Sequence, residues 1–127
     1  MTALKFLAIG LVVTVLAACA APIYNVDNAP VMTNAPNPTL DDVSKAIQRA
    51  GAGLGWQMLQ DRPGHILGTL KLRTHVAVVD INYDLKAFSI KYKDSTNLNY
   101  TSTSIHKNYN GWIQNLENAI KAQLTSL

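Results

Sequence analysis

The apolar positions change rhythm twice along the chain. From Phe6 to Ala18 they run almost unbroken, with Lys5 as the charge ahead of them. From 20 to 38 they are scattered among prolines, and from 39 onward they recur at regular intervals. That last stretch is the one the pattern predicts to fold. Leu40, Val43, Ala46, Ile47 and Ala50 follow a helical period. Thr39 stands at the N-cap position with Asp42 three residues on, a capping-box-like arrangement, and Asp41 and Asp42 lie where the helix dipole favours negative charge. The Gly51–Gly55 stretch is expected to end this helix, with Gly51 able to take the left-handed C-terminal conformation. Period-two stretches follow at Trp56–Gln60, His65–Leu72, Val76–Tyr83 and Ala87–Lys93, separated by turns at Arg62–His65, Lys71–Thr74 and Asp84–Ala87. The polar run Asp94–Ser104 has room for a short fifth strand around Leu98–Thr101. A final helix, N-capped by Ser104, is expected from the stripe Ile105, Tyr109, Trp112, Ile113, Leu116, Ile120 and Leu124.

Both helical stripes need burial, and the last strand has one apolar and one cationic face. The predicted fold class is therefore α+β. Its expected form is a two-layer sandwich, with an antiparallel meander of four or five strands and an N-terminal and a C-terminal helix on one face. The expected organisation is a signal segment at 1–18, Cys19 with a Pro/Asn-rich tether at 19–38, and a single domain at 39–127. The tether holds four of the five prolines, which argue against helix and interior strand. Fully stretched it reaches at most about 65 Å. Its apolar residues Ile23, Tyr24, Val26, Val31 and Met32 leave open a second reading, a short strand or clamp docked on the domain or a partner.

Composition narrows the chemistry. The chain has 127 residues, and its single cysteine excludes an internal disulfide and a Cys-based zinc site. The histidines His65, His75 and His106 show no metal-ligand spacing, although His65 and His75 flank neighbouring strands. No metal ligand, cofactor or catalytic residue is assigned. The Gly51–Gly55 stretch lacks the Lys-Ser/Thr of a phosphate loop, and no serine sits in a nucleophile elbow. Pairing His106 with Asp94 in a hydrolase would need an identifiable nucleophile. Asp80 lies among valines and is expected to pair with Arg73, a lysine or solvent. Without Lys5 the chain carries ten basic and eight acidic residues, too little excess and too dispersed for nucleic acid. Lys86, Lys91 and Lys93 make a small basic strip. The candidate binding segment runs from Asp94 to Trp112. It gathers Asp94, Ser95, Asn97, Tyr100, His106, Asn108, Tyr109, Asn110 and Trp112, side chains that combine adaptable hydrogen bonding with rigid aromatic area. Alternatively, Gly111 allows close helix–sheet approach and the asparagines satisfy loop backbone.

The amino terminus has a recognisable order: one positive charge, thirteen mainly apolar residues, then Leu16-Ala17-Ala18-Cys19. Thirteen residues suit a signal sequence and fall short of the ~20 needed to span a bilayer. The order resembles the lipobox of bacterial lipoproteins. A plain secretory signal and a retained membrane anchor are the competing readings. The resemblance implies cleavage before Cys19, a diacylglyceryl group such as one carrying palmitate on its sulfur, and an acylated new amino terminus. Ala20 then implies the outer membrane, facing the periplasm. Gly55-Trp56, Pro63-Gly64, Arg73-Thr74-His75 and Tyr109-Asn-Gly-Trp-Ile113 also look like small bacterial envelope lipoproteins, whose motifs carry no known chemistry. The resemblance implies an address and a fold, not an activity. The anchor together with the lack of a recognisable catalytic constellation leads to the expectation of a membrane-anchored, non-enzymatic protein that binds an envelope protein or cell-wall component. The alternative is a protein that binds a small ligand: a glycan, a peptidoglycan fragment or a lipid.

Overall fold

A computed structural model of the protein describes residues 19–127; the signal segment expected at 1–18 lies outside the described residues. The elements are β1 (Ala20–Pro22), β2 (Val26–Pro30), α1 (Leu40–Gly53), β3 (Gln57–Arg62), β4 (His65–Leu72), β5 (His75–Tyr83), β6 (Ala87–Thr96), β7 (Ser104–His106) and α2 (Lys107–Thr125). The fold is α+β, with a five-stranded antiparallel sheet in the order β2-β6-β5-β4-β3 and a second sheet that pairs β1 with β7.

Strands β3 to β6 form the expected meander. Their register aligns the buried alternate positions: Ile66 opposite Ile81, Leu70 opposite Ala77, Ile81 opposite Ile90 and Tyr83 opposite Phe88. One hydrophobic core joins these to Val43, Ala46, Ile47 and Ala50 of α1 and to Tyr109, Ile113, Leu116, Ile120 and Leu124 of α2. Each large aliphatic side chain buried in this way contributes about 1.5–3 kcal/mol over an exposed one. The capping box is complete. Asp42 N–H donates to Thr39 Oγ1 at 3.0 Å, and Thr39 N–H donates to Asp42 Oδ2 at 2.9 Å. These bonds hold the Asp42 carboxyl below its ordinary value.

Several expectations are corrected. The helix ends within the expected Gly51–Gly55 stretch, at Gly53, but Gly55, not Gly51, takes the positive φ, at +86°. Gly51 is needed for another reason: a Cβ there would run into the Met58 side chain. The fifth strand of the main sheet is not Leu98–Thr101. Asn97 and Asn99 flank Leu98 with φ of 57° and 51°, which breaks any strand there, and Leu98 is buried. The fifth strand is β2, from within the expected tether. Ser104 does not cap the last helix either; it opens β7, and His106 is the N-cap of α2.

Residues 20–38 therefore do not behave as a free spacer. Val26 and Ala29 are buried and pair with Ile90 and Phe88, and β1 pairs Ala20 with His106 and Ala21 with Ile105. Pro22 and Pro30 end short edge strands, a position proline tolerates because no ladder donor is required there. The folded unit thus begins before residue 39.

Candidate functional site

The predicted binding segment divides into exposed and structural members. Asp94, Asn97, Tyr100 and Asn108 are exposed, whereas Tyr109 is wholly buried and Trp112 packs partly buried against the core. Tyr100 stacks on Tyr92 at 4.2 Å between ring centroids, and Tyr92 meets Tyr109 edge-on at 5.8 Å, so three aromatic rings run from surface to core. The Tyr92 hydroxyl bonds to Ser95 Oγ, and burial pushes its phenol up. Burial also raises the Tyr109 phenol, whose hydroxyl has no hydrogen-bond partner among the described residues. Trp112 turns elsewhere, into a cleft of about 70 Å³ with Leu54, Trp56, Leu70 and Asn115. These aromatic residues do not line one pocket.

The asparagines and histidine have local structural work. Asn110 accepts the Tyr24 N–H on Oδ1 at 2.9 Å, and its amide donates to the Pro22 carbonyl at 2.7 Å. It is therefore the clasp that fastens the amino-terminal segment to α2. The Tyr24 hydroxyl adds a 2.6 Å hydrogen bond to Glu117. Burial pulls the Glu117 carboxyl up, but its bonds from Lys121 and Tyr24 outweigh that and leave it below its ordinary value. Asn97 donates to Thr74 Oγ1, and its carbonyl is 2.7 Å from His75 Nδ1. His106 Nδ1 accepts the Asn108 N–H at the start of α2, while Asp94 accepts from Ser95 N–H. Neither bond joins His106 to Asp94. A Cβ at Gly111 would meet nothing within 4 Å, so close helix–sheet approach does not explain that glycine.

The cluster that sequence reading missed lies around His65. His65 Nδ1 is 2.6 Å from Asp61 Oδ1, and Nε2 is 2.7 Å from Asp80 Oδ1. A carboxylate accepts from a ring N–H, so these contacts occupy both ring nitrogens of His65. Arg62 pairs with Asp61 at 2.9 Å, and Lys93 approaches Asp80 at 3.7 Å. The bond from His65, with the charges of Arg62 and His65, holds the Asp61 carboxyl below its ordinary value. This arrangement staples the β3–β4 hairpin to β5. It leaves no imidazole nitrogen free to act as a base. The signal for it was present: once the Pro63-Gly64 turn fixes the hairpin, Leu67 pairs with Asp80 and His65 falls diagonally beside it.

Asp80 thus pairs with His65 and Lys93 rather than Arg73. His65 and His75 do not approach, because they stand at opposite ends of the β4–β5 ladder, paired with Asn82 and Leu72. Of the expected basic strip, Lys86 precedes β6, and Lys91 lies 3.9 Å from Asp27. No group of three His, Cys, Asp or Glu side chains suited to a metal ion occurs among the described residues. Cys19 is a free, half-buried thiol at the first described position, and its carbonyl accepts the Lys107 N–H at 2.8 Å. No helix among the described residues is long and apolar enough to cross a membrane. Compared with models of known protein families, with curated proteins and with solved structures, the chain matches none.

Proposed function

We propose that the protein is a lipid-anchored, non-enzymatic component of the bacterial envelope, acylated on Cys19 and held at the outer membrane facing the periplasm. In this reading the α+β domain is a two-layer sandwich with both helices on one sheet face, and it binds another envelope protein or a cell-wall component. The observation that carries the reading is the order Leu16-Ala17-Ala18-Cys19 behind an apolar run that is too short to span a bilayer. Lipidation gives the single cysteine a role that a plain secretory signal does not. Two or three acyl chains, at about 0.8 kcal/mol per buried methylene, are enough for stable attachment.

The non-enzymatic reading is supported by the histidines, each engaged in a structural hydrogen bond. The open sheet face around Leu59, at 63% exposure, is the surface offered to a partner. Replacing Cys19 by Ser is expected to abolish acyl labelling and membrane attachment; unchanged attachment would refute the address. In-cell crosslinking from position 59, on the open sheet face, is expected to capture one envelope component. Turnover of a cell-wall substrate with no captured partner would refute the binding role.

One observation favours the small-ligand alternative. Tyr83 is 6% exposed, its hydroxyl lacks a partner among the described residues, and it lines a cleft of about 240 Å³ with Leu40, Asp41, Ser44, Gln60 and Pro63. That volume lies below the ~300–1,000 Å³ usual for small-molecule sites, so a surface partner is the better fit. Titration with a peptidoglycan fragment that shifts the Ser44 and Gln60 amide resonances would reverse this preference.

A further inference from the structure

We infer that the end of the domain bearing Cys19 is a membrane-apposed surface, made to lie on an anionic phospholipid headgroup layer. The inference deepens the lipid-anchor reading and rests on it. The first argument is distance. The Cys19 carbonyl is bonded to Lys107 N–H, and Ala20 pairs with His106, so no free chain separates the attachment point from the sheet. A strand advances about 3.3 Å per residue, and the polar layer on each side of a bilayer is only roughly 5–7 Å deep. Chains on the sulfur and amine of Cys19 that enter the hydrocarbon therefore bring Ala20, His106 and Lys107 into the headgroups.

The second argument is what the topology gathers there. The β4–β5 turn reaches the same end, because Leu72 pairs with His75 and Asn97 holds both His75 and Thr74. The segment after β6 joins it through the His106 N–H bond to the Leu98 carbonyl. The end of α1 joins it through Leu54, which shares a cleft with Trp56 and Trp112. Leu54, Leu72 and Tyr100 are 42%, 47% and 46% exposed, half of the six large exposed hydrophobics among the described residues. Beside them stand the exposed cations Lys71, Arg73 and Lys107.

The acids are placed elsewhere. Asp41 and Asp42 open α1, Asp61 lies near the end of β3, and Asp84 is in the β5–β6 turn, all at the far end. Asp27, Asp80 and Glu117 have lysine neighbours. The nearest acid is Asp94, opposite Val78 and two pairs in from the strand end. Apolar side chains ringed by unopposed cations match an anionic bilayer surface, where each cation strengthens attachment roughly fivefold. A protein partner has no such reason to sit where the acyl chains enter.

The test uses the acylated protein in nanodiscs of phosphatidylethanolamine and phosphatidylglycerol containing a headgroup spin label. Amides at 54–55, 72–75, 99–101 and 106–108 are expected to broaden, while those at 41–42, 61–64 and 84–86 keep their intensity. Uniform broadening, or broadening confined to 19–21, overturns the inference. The triple variant K71E/R73E/K107E, altered only at exposed positions, is expected to lose the broadening at 72–75 with its remaining spectrum unchanged; retention overturns it. Coverage of these residues by a second copy or another protein, without lipid broadening, also overturns it. Acylation is read separately from the mass of the amino-terminal peptide. If Cys19 carries no acyl group, the anchor reading fails on its own. The same chain coupled through its thiol to a maleimide lipid then upholds or overturns the surface by the same pattern.

Discussion

Two regions meet along β6 and are held there by different means. On one side the β3–β6 meander and the two helices share a core built from repeated apolar positions, many of them wholly buried. On the other, the segment from Cys19 to Val31 adds only Val26 and Ala29 to that core and is otherwise held by two short strands and a set of discrete polar anchors. Asn110 clasps Tyr24 and Pro22, Tyr24 reaches Glu117, Asn25 accepts from Tyr92 N–H, and Asn28 N–H donates to Ser89. A distributed core loses stability as a whole when one part is removed. A segment pinned at a few points opens locally while the rest stays folded.

That contrast can be broken by experiment. The largest effect is expected in the core: Ile113→Ala, at a wholly buried position, should cost about 2–5 kcal/mol. The loss should appear as a lower denaturant midpoint and faster exchange in both helices and the central strands alike. Asn110→Ala should cost less, about 1–3 kcal/mol, by orphaning the Tyr24 N–H and the Pro22 carbonyl. Here hydrogen exchange should accelerate in β1 and β2 and leave β4 and β5 protected; acceleration throughout would erase the distinction between the regions. Tyr109→Phe removes a buried hydroxyl that has no partner among the described residues, and should raise stability by about 1 kcal/mol. Gly111→Ala should also stabilise, by about 0.5–1 kcal/mol, because the added Cβ has open space; a loss would mean that the glycine is required by contacts outside this chain.

The smallest effect is a pH dependence of the anchors. The Glu117 carboxyl is lowered in the fold, so its contribution is present above the unfolded-chain value of about 4.3. It is lost as pH falls through the lower folded value. Exchange in β1 and β2 should therefore rise on acidification before β4 and β5 respond. Glu117→Gln should remove that step while leaving β4 and β5 protection as before.

How much could be read beforehand follows the same division. The α2 stripe from Tyr109 to Leu124, the Thr39–Asp42 capping box and the alternation of β5 were legible because each depends on local spacing alone. The docking of β2 was legible only as a second reading beside the free spacer. Its proline ends resemble linker, and its two buried residues, Val26 and Ala29, find their partners about sixty positions later. The start of α2 was displaced because Ser104 and His106 can both cap, and pairing with β1 drew Ser104 into a strand. The candidate binding segment was located by composition, which does not distinguish an asparagine facing a partner from one that clasps its own chain. Asn108 remains exposed, whereas Asn110 is committed internally. His65 was passed over because its two carboxylates become neighbours only after the hairpins are set in register.

The immediate pairing of β1 after Cys19 has a mechanical consequence. A pull on Cys19 would load the Cys19–Lys107 hydrogen bond and then the Ala20–His106 pair in turn. Behind it lies the Asn110 clasp, then β2, and only afterwards the core. Release of residues 20–38 would pay out up to about 65 Å of chain without unfolding the meander. Docked, the segment holds Cys19 close to the domain; pulled from Cys19, the same nineteen residues would become a shock-absorbing leash of the length read from the sequence.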